Sequence, residues 1–320
     1  MTEFEFIARI RARAAHVRQD VQLGIGDDAA VLEVSRGHQL VVTMDTLNAG
    51  VHFPDDTAPA DVGWKALAVN LSDLAAMGAV PAWCTLSLSL PEADARWLEA
   101  FLDGFLALAA AHEVALVGGD TTRGPLSVCV TAHGLVEPGR ALRRDGARVG
   151  DLVWVTGTLG DAAGALAQWQ GGGAVDDALR ARLDRPTPRI ATGRALTGLA
   201  SACIDVSDGL LADLGHVCLA SGVGAEIAVD TLPWSEVLRA GFDTRTRRDL
   251  QATGGDDYEL CFTTAATPLA IDALARIAAQ TGVCIVRVGR IVAGDGVATF
   301  DADGSAWRPA GSGYRHFSTD

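Results

Sequence analysis

Seven aspartates stand where apolar runs end or turns begin: Asp28 in GIGDDAAVL, Asp45 in VVTMDTL, Asp73 in VNLSDLA, Asp120 in VGGDTT, Asp205 and Asp208 in IDVSDG, and Asp256 in GGDDYEL. A single aspartate in such a place is ordinarily a helix cap or a turn residue. Seven of them, if the strand ends converge, need cations, because carboxylates in contact repel and cannot share a site unneutralised. The neighbours are hydroxyls and glycines rather than paired His and Cys, which suits hard Mg2+ over zinc. No D-x-[DN]-x-[DN]-G loop ending in Glu supports calcium. Several magnesium ions beside glycine turns point to a polyphosphate nucleotide, whose oxygens magnesium bridges to protein carboxylates.

Asn70 and Asp73 lie three apart on a largely apolar helical stretch and share a face, so either a metal site at a helix edge or a buried capping pair is expected there. Lys65 is the only lysine. No Walker glycine loop precedes it, so a surface or packing role stands beside a phosphate role. Arg123 in GGDTTRG and Arg140, Arg143 and Arg144 in GRALRR have the guanidinium geometry for phosphate, with an exposed linker as the alternative for the last three. TGTLGDAAG at 156–164 could cradle a phosphate at a helix N-terminus or simply connect strand to helix. His52 follows the TMDT acids closely and is either a ligand-facing or a satisfied loop histidine. No GxSxG nucleophile motif occurs.

Composition limits the function classes. The net charge is −14 over 320 residues, and no basic stripe of the kind that tracks a nucleic-acid backbone is present. No apolar run reaches membrane-spanning length. Six scattered cysteines without a CxxC pair read as reduced, buried thiols of a cytoplasmic protein.

The elements that must position these residues alternate in type. AAVLEV and QLVVTM are expected to form a hairpin around SRGH. Residues 60–79 give the strongest helix, closed by Gly78, and EADARWLEAFLDGFLALAAAH gives a second. WCTLSLSLP, VALVGGDTT and LSVCVTAHGLVE read as strands. A polar stretch at 138–150 marks a junction. Beyond it come the strand-turn-helix DLVWVTGTLGDAAGALAQ, a Gly-, Arg- and Pro-rich connector at 171–190, the strand and helix of ACIDVSDGLLADLGHVCLASG, the turn and strand of GGDDYELCFT, and a late helix and strand. The expectation is an α/β (α+β) protein of two mixed lobes, 1–140 and 148–320. A weak echo between VNLSDLAAMGA and IDVSDGLLADLG permits a duplicated ancestor.

In order along the chain, LGIGDDAAVL, MDTLNAGVHF, KALAVNLSDLAAMGAVPAW, GGDTTRGPLS, IDVSDGLLADLGH and GGDDYELCFT resemble the thiamine-monophosphate kinase family. That family belongs to the superfamily typified by aminoimidazole ribonucleotide synthetase. The resemblance runs from about residue 4 to GYRHF at 313–317. It implies transfer of the ATP γ-phosphoryl group to thiamine monophosphate, and a homodimer paired through the sheets of the N-terminal lobes. It implies that lobe 1–140 binds ATP and Mg2+ and dimerises, while lobe 148–320 completes the nucleotide and substrate site. Position by position it implies magnesium at Asp28, Thr43, Met44 (through its backbone), Asp45, Asp73, Asp120, Asp205 and Asp208. Nucleotide contacts fall at Gly119, Asp120, Arg144 and Ser207, and thiamine phosphate contacts at His52, Asp256 and Tyr314. Among these, Asp45, Asp73, Asp120 and Asp208 are the expected catalytic set. The sequence departs from the family at Asp256, where glutamate is usual. Another ATP-dependent synthetase of the superfamily and a non-catalytic metal- or nucleotide-binding module are the alternatives.

Overall fold

A computed structural model describes residues 3–14, 18–311 and 313. The chain forms two units, one of residues 1–74 and 79–139, the other of 75–78 and 140–320.

The first unit contains α1 (Glu3–Arg13), β1 (Val21–Leu23), β2 (Val31–Leu32), β3 (Gln39–Asn48), most of α2 (Pro59–Ala76), β4 (Val80–Leu90), α3 (Ala95–Ala111), β5 (Ala115–Arg123) and β6 (Ser127–Val136). Its four-stranded sheet has the order β3-β6-β4-β5. Only β4 and β5 run parallel, and α3 makes the crossover that such a pair requires. Asp94 starts α3 by accepting the N–H groups of Arg96 and Trp97. One face of α2 carries Leu67, Leu71 and Leu74, all fully buried, and alternate β6 residues Val128, Val130 and Ala132 are buried with them.

The expected hairpin of residues 29–34 with 39–44 does not form. The two residues of β2 pair with β1, while β3 pairs with β6 over ten positions, from Gln39 opposite Val136 to Asn48 opposite Ser127. A ten-residue ladder satisfies far more backbone than a short local hairpin, and its register turns Leu47 into the core.

The second unit contains β7 (Leu152–Thr156), α4 (Asp161–Gln170), α5 (Asp177–Asp184), α6 (Ile190–Leu196), β8 (Ala202–Asp205), α7 (Leu210–Ser221), β9 (Gly224–Ala228), α8 (Glu236–Gly241), α9 (Thr244–Thr253), β10 (Leu260–Thr264), α10 (Pro268–Thr281), β11 (Ile285–Val292) and β12 (Val297–Phe300). The six-stranded sheet is ordered β12-β9-β11-β7-β10-β8, and β12 alone pairs parallel to its neighbour. Val153, Val155, Ile204, Leu210, Leu214 and Ile227 form its core. Residues 171–190 are not a plain connector. Asp176 caps α5 through the N–H groups of Ala178 and Leu179, and the segment leads directly into α6.

All six cysteines are free. Cys84, Cys203, Cys218 and Cys261 are buried as expected, but Cys284 is exposed, in the loop before β11. Burial pushes the Cys84 thiol up to about 12, so it stays protonated. Among the described residues no helix is long and apolar enough to cross a membrane.

Candidate active site

In the first unit, β3 and α2 bring Thr43, Asp45 and Asp73 together. The Thr43 hydroxyl donates to Asp73 Oδ2. Burial, and then the charge of Asp73, raise the Asp45 carboxyl to about 6. One turn before Asp73, the fully buried Asn70 spends its amide N–H on the Ala66 carbonyl at 3.0 Å. Its Oδ1 has no hydrogen-bond partner among the described residues. Two adjacent carboxylates, a hydroxyl and, one turn away on α2, an amide oxygen without a partner are all oxygen donors, of the kind a hard divalent cation takes. Among the described residues no three His, Cys, Asp or Glu side chains gather tightly enough to cage an ion by themselves. The hydroxyl of Thr43, not a third acid, is what joins this pair.

The other candidates of this unit lie around that pair in the sequence but are held differently. Asp28 is exposed, and its N–H donates to Asp27 Oδ1 at 2.9 Å, so Asp27 shapes the turn that presents Asp28. The Met44 side chain projects into solvent, which leaves its backbone as the part that could serve a ligand. Gly119 has φ +152, and a Cβ there would lie 1.8 Å from the Leu86 carbonyl oxygen, so glycine is required by the approach of β4. Asp120 is exposed, and Asp120 Oδ1 accepts the Thr121 N–H at 2.9 Å. Arg123 ends β5 and lines a cavity of 530 Å³ with Thr121, Thr122, Leu90, Pro91 and Phe6. His52 is half-buried in the turn after β3. His52 Nδ1 accepts the Asn48 N–H at 3.0 Å.

In the second unit, Asp205 closes β8 and is buried. The loop that follows is fixed by Asp213, a buried residue of the first turn of α7 that sequence reasoning missed. Its Oδ2 accepts three successive backbone N–H groups, from Ser207 at 3.0 Å, Asp208 at 3.1 Å and Gly209 at 3.1 Å. The N–H groups of Ser207 and Asp208 are thereby engaged from within, so these two residues are left to act through their side chains. The visible signal was an acid five positions after Asp208 in SDGLLAD.

The same loop is tied to GGDDYEL. The Asp256 N–H donates to the Ser207 carbonyl at 2.9 Å, the Tyr258 N–H to that of Val206 at 2.8 Å, and the Val206 N–H to that of Glu259 at 2.8 Å. Asp256 and Tyr258 hold φ +66 and +50, and the Tyr258 hydroxyl donates to Asp256 Oδ1 at 2.9 Å. Between them, Asp257 accepts the Gly160 N–H at 2.8 Å. The cap residue of α4 thus gives its N–H to Asp257, and 156–164 runs from β7 into α4 as a strand-to-helix connection. Glu259 receives Arg182, Arg189 and the Thr156 hydroxyl. Arg182, Arg189 and Asp161 also line a cavity of 680 Å³ with Thr158, Trp234 and Ser235, and none of the residues expected at magnesium, nucleotide or thiamine phosphate lines it.

Of the linker arginines, Arg143 is paired with Asp145 at 2.6 Å and Arg140 donates to the Thr197 carbonyl at 3.2 Å. The Arg144 side chain is exposed, while its carbonyl accepts the Ser221 hydroxyl at 2.9 Å. Tyr314 lies outside the described residues.

Residues 26–136 match the family AIR synthase related protein, N-terminal domain, and residues 148–301 match AIR synthase related protein, C-terminal domain. The two mixed α/β units with their acid-bearing strand ends thus define an AIR synthase-type protein. The chain is 48% identical to thiamine-monophosphate kinase of Salmonella typhimurium, covering 99% of this chain and 98% of that protein. It is 47% identical to the Escherichia coli K12 enzyme with the same coverage. Among solved structures, thiamine-monophosphate kinase from Stenotrophomonas maltophilia K279a superimposes with a TM-score of 0.88 at 56% identity, covering 96% of this chain and 98% of that one. A complex described as AaThiL with AMPPCP and TMP gives 0.77 at 33% identity, covering 98% and 97%. The hydrogenase maturation protein HypE shares the fold at 20% identity and a TM-score of 0.77. Within the AIR synthase-type class, the chain belongs to the thiamine-monophosphate kinase family.

Proposed function

We propose that the chain transfers the γ-phosphoryl group of ATP directly, in line, to the phosphate of thiamine monophosphate, giving thiamine diphosphate, with Mg2+ as cofactor. The observation that carries the reading is Asp45, half-buried against the charge of Asp73, itself on a helix whose Asn70 Oδ1 has no partner among the described residues, an arrangement a cation would relieve. The relative complexed with AMPPCP and TMP supports the choice of substrates. The acceptor is a phosphate monoester with a second pKa of about 6, mostly dianionic at neutral pH. It needs no strong general base, in keeping with the absence of a nucleophile or base motif in the sequence.

The chemical problem is repulsion between two anionic phosphates, and it is met by positioning and charge. Magnesium, when bound, would supply that charge. Asp45, Asp73, Thr43 and Asn70 would hold it, and Asp28, the Met44 backbone, Asp120, Asp205 and Asp208 are assigned to further ions. Ser207, Arg144, Gly119 and Asp120 are assigned to the nucleotide. His52, Asp256 and Tyr314 are assigned to the acceptor. We further assign a homodimer and a cytoplasmic location.

A coupled assay of ATP consumption tests the reading. Wild-type protein consumes ATP only when thiamine monophosphate and Mg2+ are both present. Asp45→Ala loses turnover by about 10³-fold or more while circular dichroism shows it folded. Near-normal turnover in that variant would refute the metal assignment, and ATP consumption independent of thiamine monophosphate would refute the substrate.

A further inference from the structure

Lys65 is the only lysine in the chain, and its side chain is 0% exposed within α2. Burying an ammonium group costs several kcal/mol unless its donors meet acceptors. A neutral side chain of similar length would fill the same space without that cost, so packing does not account for the charge. One acceptor is specific: Lys65 Nζ donates to the main-chain carbonyl of His52 at 3.0 Å.

The His52 turn is closed from several sides. The N–H groups of Val51 and His52 donate to the Asn48 carbonyl at 3.2 and 3.0 Å, and the Gly50 N–H donates to the Phe53 carbonyl at 3.1 Å. In return the Asn48 N–H donates to His52 Nδ1 at 3.0 Å. A backbone N–H can only donate, so Nδ1 is the bare nitrogen and the neutral ring carries its proton on Nε2. The turn therefore settles both the tautomer and the direction in which the ring points. The His52 carbonyl, at the end of this turn, is the point at which α2 grips it through Lys65.

We propose that Lys65 is a positioning residue for the phosphate acceptor. By pinning the His52 carbonyl, it fixes the direction in which His52 Nε2–H meets the phosphate of thiamine monophosphate. The inference rests on the kinase reading above, with His52 at the acceptor.

Kinetics of Lys65→Met, Lys65→Arg, His52→Ala and the Lys65→Met/His52→Ala double variant test it, with each substrate varied in turn. Lys65→Met raises KM for thiamine monophosphate about tenfold, the scale of one misdirected hydrogen bond, and leaves KM for ATP within about twofold. Lys65→Arg, which keeps a cationic donor, recovers part of the loss. Added to His52→Ala, the Lys65→Met change costs less than about twofold more, because residues acting as one unit are non-additive.

Equal losses for both substrates that track a fall in Tm, or fully multiplicative costs in the double variant, would overturn the role. Should Lys65→Met fail to fold, Lys65→Arg decides: a selective rise in KM for thiamine monophosphate supports the role and an unselective loss removes it. A wild-type protein that does not turn over thiamine monophosphate removes the kinase reading and this inference with it. Turnover with both KM values unchanged in Lys65→Met removes the inference alone.

Discussion

Asp256 and Tyr258 adopt left-handed backbone angles that cost non-glycine residues about 1–3 kcal/mol each. Their neighbours impose this: Asp257 is held by the Gly160 N–H and Glu259 by Arg182 and Arg189, so the chain must turn sharply between anchors. Positions 256 and 258 are thereby offered together, and the Tyr258 hydroxyl holds the Asp256 carboxylate. Aspartate at 256 reaches one methylene less far than the glutamate the family resemblance would place there, and the tyrosine bond fixes what reach remains. Tyr258→Phe keeps the buried ring and removes that bond. KM for thiamine monophosphate should rise about three- to tenfold with KM for ATP unchanged and Tm nearly so. Unaltered KM for thiamine monophosphate would show that Tyr258 merely packs. At this scale Asp256 stood out in the sequence because an acid after two glycines at a strand start is locally odd. The role of Glu259 did not, because Arg182 and Arg189 lie 77 and 70 positions away and no local pattern encodes such a partnership.

Helices α2 and α3 were legible because Ala- and Leu-rich segments with a cap at one end need nothing distant to be recognised. The eight residues of α5 were not, since four of DALRARLD are charged and the segment sits among Gly, Arg and Pro. Tertiary ion pairs anchor it: Arg182 reaches Glu259 at 2.8 Å, and Arg180 is held by Asp184 within the helix at 2.5 Å. The pairing of β3 with β6 was hidden for the same reason, as a partner about ninety positions away leaves no mark on the strand itself. The buried acids that join α4 to the GGDDYEL turn carry a pH dependence. Burial, foremost, raises the Asp257 carboxyl well above its usual 3.8, reinforced by Asp161 and Glu259 and opposed by the Gly160 N–H and Arg182. The folded chain then binds this proton more tightly than the unfolded chain does. The stability it contributes is complete below about pH 4 and is lost as pH rises through the folded-state value. Asp257→Asn retains an acceptor for the Gly160 N–H and cannot ionise. In paired melts from pH 4 to 8, its Tm should gain steadily on that of the wild type. A constant offset across that range would mean that Arg182 keeps Asp257 charged throughout.

For the molecule as a whole, the informative surface is the exposed row along one edge of the first unit's sheet. Along the edge strand β3, Leu40, Val42 and Met44 alternate outward at 45%, 55% and 63% exposure. Opposite them on β6, in register, lie Leu135, His133 and Thr131. An edge strand that shows an apolar row to water is a template for association unless something covers it. A chain with net charge −14 is kept apart by its own field, so a dimer through this row requires its burial to outweigh that repulsion. The proposed homodimer through the N-terminal sheets would provide such a cover, with a second copy of the same face. In a two-fold interface each residue meets the surroundings of its own symmetry mate, so one substitution enters twice. Val42→Arg therefore places two guanidinium groups in the buried patch and removes two apolar contacts, a cost of several kcal/mol to the dimer. In the free protomer the position is half open to solvent, where the same change costs within about 0.5 kcal/mol. Sedimentation of the wild type at micromolar concentration should give the dimer mass. Val42→Arg should give the protomer mass with an unchanged circular dichroism spectrum. A wild-type protomer would remove the dimer, and a Val42→Arg dimer as tight as the wild type would move the interface to another face.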